Sequence, residues 1–392
     1  MKVALISKEF PPFAFGGVAS NCYDLAHSLA RSGVDTTVFC GRSKQPTVER
    51  PAENLKVVRL PLVDLPHRGL WFQLLNIDSF LRCLKKYSVL HFVDPESGGA
   101  WAYFRKRFGV PVVTSIHEHV LLASRIFLRS PLAEWTLGDF GYHVVEYPLN
   151  EFLLRACMAS SDHLIVHGQT TLEDMKQTYR HFDFEKATVI HNGVNFDKMP
   201  GIDPRLMPGR SDRLTVAFFG RLFWRKGILH LLRAFAVLQQ DFPNLKLNIF
   251  GTGPLQTKLT RLIGQLGLSD NVRMGGYIAY ADLLKEIAKA DIISLPSLYE
   301  VGPYIAALEA MACRKPVVAF DFPFVREFMT HMQNALVAKP GDVEDLSQKI
   351  RQLVVDGGLR LRVGVDAYQY VKERHNWNLL VQRFLQVYQN VL

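Results

Sequence analysis

Residues 214–227 read LTVAFFGRLFWRKG, an apolar run that passes directly into a loop containing three cations. The run 214–219 is typical of a strand covered on both faces, and the glycine after it indicates a turn. In a parallel sheet this turn lies at the carboxyl edge, where ligands bind. The Arg221 fork and the Lys226 point charge could there neutralise a diphosphate and stabilise it as a leaving group. The alternative is that both cations lie on a solvated loop.

The alternation of strand, turn and helix continues through both halves of the chain. Strands are predicted at residues 3–6, 34–40, 89–93, 110–116, 164–167, 187–190, 214–219, 245–250, 291–295 and 316–320. Apolar residues at helical spacing after Gly17 predict a helix that ends at Gly33. Strands that alternate with helices form parallel sheets, so we expect an α/β chain with two Rossmann-like, doubly wound domains facing a deep cleft.

The segment between the two halves has no hydrophobic period. Residues 194–212 contain three prolines and two glycines, a composition that marks a connection. We therefore expect an N-terminal domain at residues 1–195, a linker at 196–212 and a C-terminal domain at 213–376. Residues 377–392 repeat apolar side chains at a spacing of three to four, which predicts a final helix.

Composition excludes several classes of protein. The 392 residues are 48% hydrophobic and 21% charged, as in a folded enzyme. Five cysteines without CxxC spacing disfavour a disulfide framework and a zinc site, and no acidic pair predicts a metal. We expect a cytoplasmic protein because neither a signal peptide nor an apolar run of about 20 residues is present. The charge of +9 is dispersed, which disfavours nucleic acid and favours a diphosphate ligand with some contact to anionic lipid.

A second cluster of informative residues lies at 295–313, LPSLYEVGPYIAALEAMAC. Pro303 suits the first turn of a helix, so the free amides near Tyr304 and Ile305 are expected to form an anion site. Glu309 lies further along among apolar residues. A buried carboxylate needs a partner, because an unpaired buried charge is costly, and ribose hydroxyls would supply one. The alternative is that Glu309 lies on an exposed stripe.

Together these features resemble the retaining glycosyltransferases of the GT-B architecture, in the family often labelled GT4. The resemblance extends over nearly the whole chain. Each motif is weak singly, but their order and spacing are specific. The matching segments are 16–17, 114–117, 192–194, 220–222, 226–227, 251–254, 296–300, 309–313 and 315–319.

The resemblance implies roles for individual residues. It assigns Arg221 and Lys226 to the diphosphate, and Glu309 to the nucleotide ribose. It assigns Glu300 to the hydroxyls of the donor sugar and His117 to the region of that sugar and the reaction centre. The alternative for His117 is a histidine whose ring is satisfied by neighbouring backbone at a strand end. The further residues assigned to the donor and its nucleotide are Gly16, Gly17, Gly220, Gly253, Tyr304 and Ile305. The remaining histidines, including His91, His119, His167 and His191, are expected to be structural.

The family implies transfer with retained anomeric configuration from a nucleoside-diphosphate sugar, such as a UDP-sugar or GDP-sugar. The leaving phosphate can take the acceptor's proton, so no general base, cofactor or metal is required. The N-terminal domain is expected to hold a glycan, lipid or small-molecule acceptor, and the last helix to cross back onto it. Residues 62–84 and 120–137 mix apolar and basic side chains. They are interpreted either as core-covering helices or as a peripheral contact with the inner face of a membrane.

The sequence departs from the family pattern at two places. Eight residues separate Glu300 from Glu309 where seven are usual, and Arg314 replaces a usual glycine. If the loop 301–303 does not absorb the extra residue, Glu300 misses the sugar, which keeps open a non-catalytic glycosyltransferase-like subunit. A nucleotide-sugar epimerase would need an acid/base set that the sequence does not show. An NAD-dependent oxidoreductase is disfavoured because no GxGxxG follows either first strand.

Overall fold

The structure is a computed structural model that divides into two compact units. It describes residues 1–13, 17–43, 46–63, 68–78, 81, 84–98, 101, 109–117, 119–128, 141, 146–199, 213–300 and 305–392. Unit 1 contains the described residues from 1 to 128 and from 141 to 193, together with Trp377–Leu392. Unit 2 contains those from Val194 to Asn376. Within the described ranges, no helix is both long enough and apolar enough to cross a membrane.

Unit 1 is built on an eight-stranded sheet. Its strands are β1 (Lys2–Ser7), β2 (Asp35–Ser43), β3 (Thr47–Ala52), β4 (Leu55–Pro61), β5 (Val89–Phe92), β6 (Val112–Ile116), β7 (His163–Val166) and β8 (Ala187–Val189). They lie in the order β3-β4-β2-β1-β5-β6-β7-β8, and the pairs are parallel except for the β3–β4 hairpin. The helices between them are α1 (Gly17–Arg31), α2 (Arg68–Leu75), α3 (Val120–Leu128), α4 (Tyr147–Ser160) and α5 (Gln169–Thr178).

Unit 2 is built on a six-stranded parallel sheet. Its strands are β9 (Thr215–Phe219), β10 (Lys246–Phe250), β11 (Val272–Gly276), β12 (Ile292–Leu295), β13 (Val317–Phe320) and β14 (Leu336–Ala338). The helices are α6 (Ile228–Asp241), α7 (Gln256–Gln265), α8 (Tyr280–Lys289), α9 (Ile305–Ala312), α10 (Val343–Val355) and α11 (Gly357–Arg374). The last helix, α12 (Trp377–Val391), belongs to unit 1.

Each sheet has one point at which the order of strands reverses. In unit 1 the first strand, β1, lies between β2 and β5, and in unit 2 the first strand, β9, lies between β10 and β12. Unit 2 therefore has the strand order 3-2-1-4-5-6 of a dinucleotide-binding sheet. In such sheets ligands bind beyond the carboxyl ends of the strands that flank the reversal. The fold thus places two candidate edges, one at β1 and β5 and one at β9 and β12.

Apolar periodicity explains the packing of unit 1. Helix α1 buries Cys22, Leu25 and Leu29 in the same cluster as Val3 and Leu5 of β1. The helix ends at Arg31, and the chain turns away at Gly33, whose φ of 79° is accessible to glycine at little cost. Helix α12 enters the same cluster through three aromatic residues, and these are Trp377, Phe384 and Tyr388.

All ten predicted strands are present, and their ends agree to within about three residues. The prediction omits β3, β4, β11 and β14. The boundary between the units falls at 193/194, two residues before the predicted end of the first domain. Val194 belongs with unit 2 because its N–H donates to the carbonyl of His375 at 2.7 Å. Residues 200–212 of the predicted linker lie outside the described residues.

Candidate active site

Two loops at the carboxyl edge of unit 2 are held together by a glycine contact. Gly227, after the turn Trp224–Lys226, has a φ of 65°. A Cβ at this position would lie 1.8 Å from the carbonyl oxygen of Pro296, so a larger residue would separate the loops. The N–H of Leu298 donates to the carbonyl of Arg225 at 2.7 Å. The residues after β9 and β12 are therefore positioned as one assembly.

The loop after β10 joins the same assembly. Gly220 donates its N–H to Phe250 at 3.1 Å, and Leu222 donates to Thr252 at 2.9 Å. A Cβ on Gly253 would lie 2.6 Å from the carbonyl oxygen of Leu222. Packing against Leu222 therefore favours glycine at this position, in addition to the predicted place of Gly253 near the nucleotide.

The structure brings Lys226, Ser297 and Glu300 into one cluster. Lys226 forms an ion pair with Oε1 of Glu300, and Ser297 Oγ donates to the same oxygen at 2.8 Å. The side chain of Glu300 is 8% exposed and that of Lys226 is 18% exposed. Because water screens such a pair less than a surface pair, the contact fixes both side chains. Glu300 is therefore tied to the loop after β9 despite the longer spacing to Glu309.

Arg221 lies two residues beyond β9 at the same edge. It is exposed, and its guanidinium carbon lies 4.4 Å from the ring centroid of Phe223. Stacking on an aromatic face limits the planes that a guanidinium can adopt. The predicted cation is thus at the surface of the edge, oriented by its neighbour in sequence.

Glu309 is buried in α9, with 2% of its surface exposed. The alternative of an exposed stripe is therefore wrong, because the residues around it in this short helix are buried as well. Its negative charge reaches Cys313, whose pKa is raised to about 12 by burial and by that carboxylate. The described part of α9 begins at Ile305, while the predicted neighbour Tyr304 lies outside the described residues.

Unit 1 presents a different edge. His117 follows β6, and its ring stacks on that of His167 with centroids 4.1 Å apart and an angle of 26°. Burial lowers the pKa of His117 to about 3, so the ring is neutral at physiological pH. Gly17 is the exposed first residue of α1, and Gly16 lies outside the described residues.

Two family descriptions match the chain side by side. Glycosyltransferase Family 4 matches residues 15–198, and Glycosyl transferases group 1 matches residues 208–370. The chain belongs to the group 1 glycosyltransferases. This membership confirms the predicted GT4-like family and the prediction of a transferase enzyme.

Relatives of this group 1 glycosyltransferase match it over its whole length. An uncharacterized glycosyltransferase of Methanocaldococcus jannaschii is 28% identical over 402 aligned residues, covering 99% of this chain and 98% of the relative. Sucrose-phosphate synthase from Thermosynechococcus elongatus has a TM-score of 0.80 at 21% identity, with 99% and 98% coverage. Anabaena HepE in complex with UDP and glucose has a TM-score of 0.75 at 18% identity, with full coverage of both chains. These structures confirm the predicted GT-B fold.

Sequence reasoning missed a polar cluster at the other reversal point of this glycosyltransferase. Asp94, after β5, accepts hydrogen bonds from the N–H and the Oγ of Ser97 at 2.9 and 2.6 Å. The Nζ of Lys8, after β1, lies 4.0 Å from Oδ1 of Asp94 and also forms an ion pair with Glu96. The sequence did contain a signal for this cluster, because its charged residues closely follow predicted strands, as Arg221 does. These side chains fasten β1 to β5 where an acceptor is expected.

The structure shows the surroundings of the four other histidines that are predicted to be structural. His91 is saturated by Tyr388 Oη at 2.7 Å and by Ser115 Oγ at 2.8 Å, which fits a structural role in this enzyme. His191 follows the last strand of unit 1, and the rings of His119 and His167 are buried near the edge. The position of His167 under His117 was not foreseen, because a stack between two strand ends has no local sequence signature.

Proposed function

We propose that the protein is a retaining glycosyltransferase that takes its sugar from a nucleoside-diphosphate donor bound to unit 2. The observation that carries the proposal is the cluster of Lys226, Ser297 and Glu300 at the strand reversal, followed by a helix with the buried Glu309. Cations, an acid and a helix start are the groups that a diphosphate and its ribose require. HepE, which has the same fold, binds UDP and glucose and so favours a UDP-sugar over a GDP-sugar.

Arg221 and Lys226 would neutralise the diphosphate as the glycosidic bond breaks. Lys226 is paired with Glu300. A bound diphosphate gives Lys226 a second anionic partner, so the carboxylate can accept hydrogen bonds from hydroxyls of the donor sugar. This change of partners couples phosphate binding to sugar recognition, because the phosphate binds Lys226 and the sugar binds Glu300 of the same ion pair.

Glu309 would accept hydrogen bonds from the ribose hydroxyls. Its burial excludes water, so the free energy of these bonds is not lost to competing solvent. The amides at the start of α9, including Ile305 and the predicted Tyr304, would face the phosphates. Gly220 and Gly253 of unit 2 would lie beside this donor, and the roles of Gly16 and Gly17 stay predictions.

His117 of unit 1 would contact a hydroxyl of the donor sugar. Departure of the diphosphate and attack of the acceptor then occur on the same face, which retains the anomeric configuration. The leaving phosphate accepts the proton of the acceptor hydroxyl, so the protein contributes position and charge. Neither a cofactor nor a metal is needed, because Arg221 and Lys226 supply the positive charge.

The acceptor is assigned to unit 1 and would be a glycan, a lipid or a small molecule. Helix α2 supports a peripheral contact with the inner face of a membrane. It exposes Trp71 by 38%, Leu74 by 51% and Leu75 by 50%. The same helix buries Gln73, whose amide donates to the carbonyl of Glu96 at 2.6 Å. Phe72 anchors the helix in the core, and the three exposed apolar residues beside a buried glutamine are typical of a surface that meets apolar material.

The proposal is tested by thermal unfolding with a panel of nucleotide sugars, together with an assay of donor hydrolysis. We expect stabilisation by a nucleoside diphosphate and by one donor sugar, with slow release of that sugar. Glu309→Gln should weaken the apparent affinity, derived from this stabilisation, by at least tenfold. The matched control Glu344→Gln, at an exposed glutamate, should leave that affinity unchanged. Stabilisation by NAD but by no nucleoside diphosphate would overturn the proposal, and binding without turnover would favour a non-catalytic subunit.

A further inference from the structure

A cavity of about 510 Å³ opens on the surface of unit 1. Its walls come from α3, from α4 and from the end of α5 with the turn that follows it. Each of these three segments contributes one arginine to the lining, and these are Arg125, Arg155 and Arg180. Because the three lie far apart in the sequence, the packing of the helices brings their charges to one place.

Arg155 is held in place by two contacts. Its Nε donates to Oε1 of Glu151 at 2.8 Å, and its guanidinium carbon lies 5.0 Å from the ring centroid of Tyr179. The Oη of Tyr179 donates to the other carboxylate oxygen, Oε2 of Glu151, at 2.8 Å. The Nη groups of Arg155 form no hydrogen bond with a described residue, so this part of the guanidinium is oriented and available for an anion.

Arg125 acts on the same group of side chains. The pKa of the Tyr147 phenol is raised by burial and by Glu151, and the positive charges of Arg125 and Arg155 oppose that rise. Tyr147 is the first residue of α4, and Arg125 lies on α3. The two guanidinium groups therefore share a neighbour as well as a cavity.

The positive charge of this cavity exceeds the negative charge around it. Arg180 donates its Nε to the carbonyl of Gln177 at 3.3 Å. Within the described ranges no carboxylate forms an ion pair with Arg125 or Arg180, and the one that pairs with Arg155 is Glu151, whose side chain is 12% exposed. Three cations thus share one carboxylate. Their mutual repulsion is unfavourable, and a bound anion would relieve it.

The lining indicates what kind of anion fits. A guanidinium presents paired N–H donors that match two oxygens of a phosphate group. Apart from the arginines, the described wall consists of Gln177, Thr178 and His181, which can bond to hydroxyls, and of one apolar residue, Leu121. The volume lies in the range of small-molecule sites, roughly 300–1,000 Å³, and exceeds what one phosphate requires. A phosphate on a polar body therefore fits the cavity better than one on an acyl chain.

We propose that this cavity binds a phosphorylated saccharide, with the phosphate held by the three arginines and the hydroxyls facing Gln177 and Thr178. All its lining residues belong to unit 1, whereas the donor diphosphate is assigned to unit 2. The site therefore stands apart from the proposed function, and neither requires the other.

Arginine labelling of the full chain tests the site residue by residue. The protein is treated with phenylglyoxal in a buffer of constant ionic strength, and peptide mass spectrometry gives the modification rate at each arginine. About 10 mM glucose 6-phosphate should slow the modification of Arg125, Arg155 and Arg180 by about tenfold, as expected for a Kd on the order of 1 mM. Inorganic phosphate should protect less, and glucose should not protect. Arg50, an exposed arginine on β3, should keep its rate with every probe.

Several results would overturn the inference. Absence of protection, or equal slowing at Arg50, would mean that the cavity does not select the phosphate over other exposed arginines. Protection by inorganic phosphate as strong as that by glucose 6-phosphate would mean that the saccharide makes no contact. Vesicles containing phosphatidic acid supply the same phosphate chemistry from a lipid. If they protect the three arginines and glucose 6-phosphate does not, the cavity binds a lipid headgroup and the saccharide is excluded.

Variants separate this cavity from the donor site. Arg180→Gln should weaken the affinity for glucose 6-phosphate, measured by the protection of Arg125 and Arg155, by about tenfold, because charge-assisted hydrogen bonds are lost. The matched control Arg50→Gln should leave the affinity unchanged, as should Lys226→Met in unit 2. Loss of protection in Lys226→Met but not in Arg180→Gln would contradict the assignment to this cavity. If no nucleotide sugar binds while the three arginines are protected, the proposed function fails and this site stands.

Discussion

The two units use related strand orders, and both place charged residues near their strand reversal, but unit 1 also places neutral imidazoles after β6 and β7. At the carboxyl edge of unit 2 the residues after the strands are charged, as shown by Arg221, Lys226 and Glu300. At the edge of unit 1 that includes His117 and His167, the side chains are imidazoles that burial keeps neutral. The parallel sheet determines where a ligand can bind, and the few residues after each strand determine what it can be.

The edges share one way of being held. In unit 2 the loops meet through backbone contacts that only glycine permits, at Gly227 and Gly253. In unit 1 a Cβ on Gly41 would lie 2.8 Å from the carbonyl oxygen of Lys8, and side chains add further connections, as in the bond from Asn21 to Asn192 at 2.8 Å. In both units, close backbone contacts therefore fix the positions of the residues after the strands.

The largest expected effect comes from removing a charge at the edge of unit 2. Lys226→Met should lower the rate of transfer by about 10²–10³-fold, because a preorganised cation facing the developing charge of the leaving group is lost. Steady-state kinetics with the identified donor would measure the effect. Lys289→Met is the matched control, because Lys289 forms an exposed ion pair with Glu286 on α8. Equal kinetics for the two variants would remove the charged edge from the mechanism.

The fold was predictable because its signals are local. Short apolar runs such as 214–219 and 292–295 are buried strands, and the chain turns at Gly33 after the first helix. Two of the omitted strands lack this signal: β3 is exposed along its whole length, and β14 has three residues. Neither gives a hydrophobic run long enough to distinguish a strand from a loop.

The site was only partly predictable. The burial of Glu309 could be inferred because its neighbours in sequence are apolar, and the position of Arg221 follows from the strand before it. The partnership of Lys226 with Glu300 and the stack of His167 on His117 join residues from different strand ends. Such contacts depend on strand order and register, which a single sequence does not specify.

A smaller effect is expected from acid, and it should separate the units. Burial lowers the pKa of His91 and His117 to about 3, and that of His119 to about 4. The unfolded chain therefore binds protons more readily below about pH 6.5, so the stability from these neutral rings is lost as pH falls. At pH 5 the loss should be about 2 kcal/mol for each of His91 and His117.

Hydrogen exchange followed by peptide would measure this loss in each unit. Between pH 7.5 and pH 5, after correction for the intrinsic exchange rate, peptides from β5 and β6 should lose protection before those from β9 and β12. His119→Phe should reduce the acid sensitivity of unit 1, since its aromatic ring can keep the edge contact with Tyr179. Parallel loss in both units, or earlier loss in unit 2, would contradict the assignment of neutral histidines to one edge.

The smallest effect concerns a cation of unit 2 that lies away from the carboxyl edge. Arg314 stands where the family usually has glycine, and its φ of 55° is left-handed. The turn ends α9 with two backbone bonds, from Arg314 to Met311 at 2.9 Å and from Lys315 to Ala310 at 3.0 Å. An arginine in this conformation costs about 1 kcal/mol, and its stack on Tyr368 at 4.6 Å offsets roughly the same amount.

Arg314→Gly should therefore change the free energy of unfolding by less than about 1 kcal/mol, since the relief of backbone strain and the loss of the stack nearly cancel. In a Tyr368→Leu background, which has already lost the stack, the same change should stabilise by about 1 kcal/mol. Denaturant unfolding of the four proteins gives both numbers. Donor affinity should be unchanged throughout, because the removed charge lies at the opposite end of α9 from its start near the diphosphate. A weaker affinity in Arg314→Gly would mean that the total charge of unit 2, rather than the charge at its carboxyl edge, binds the donor.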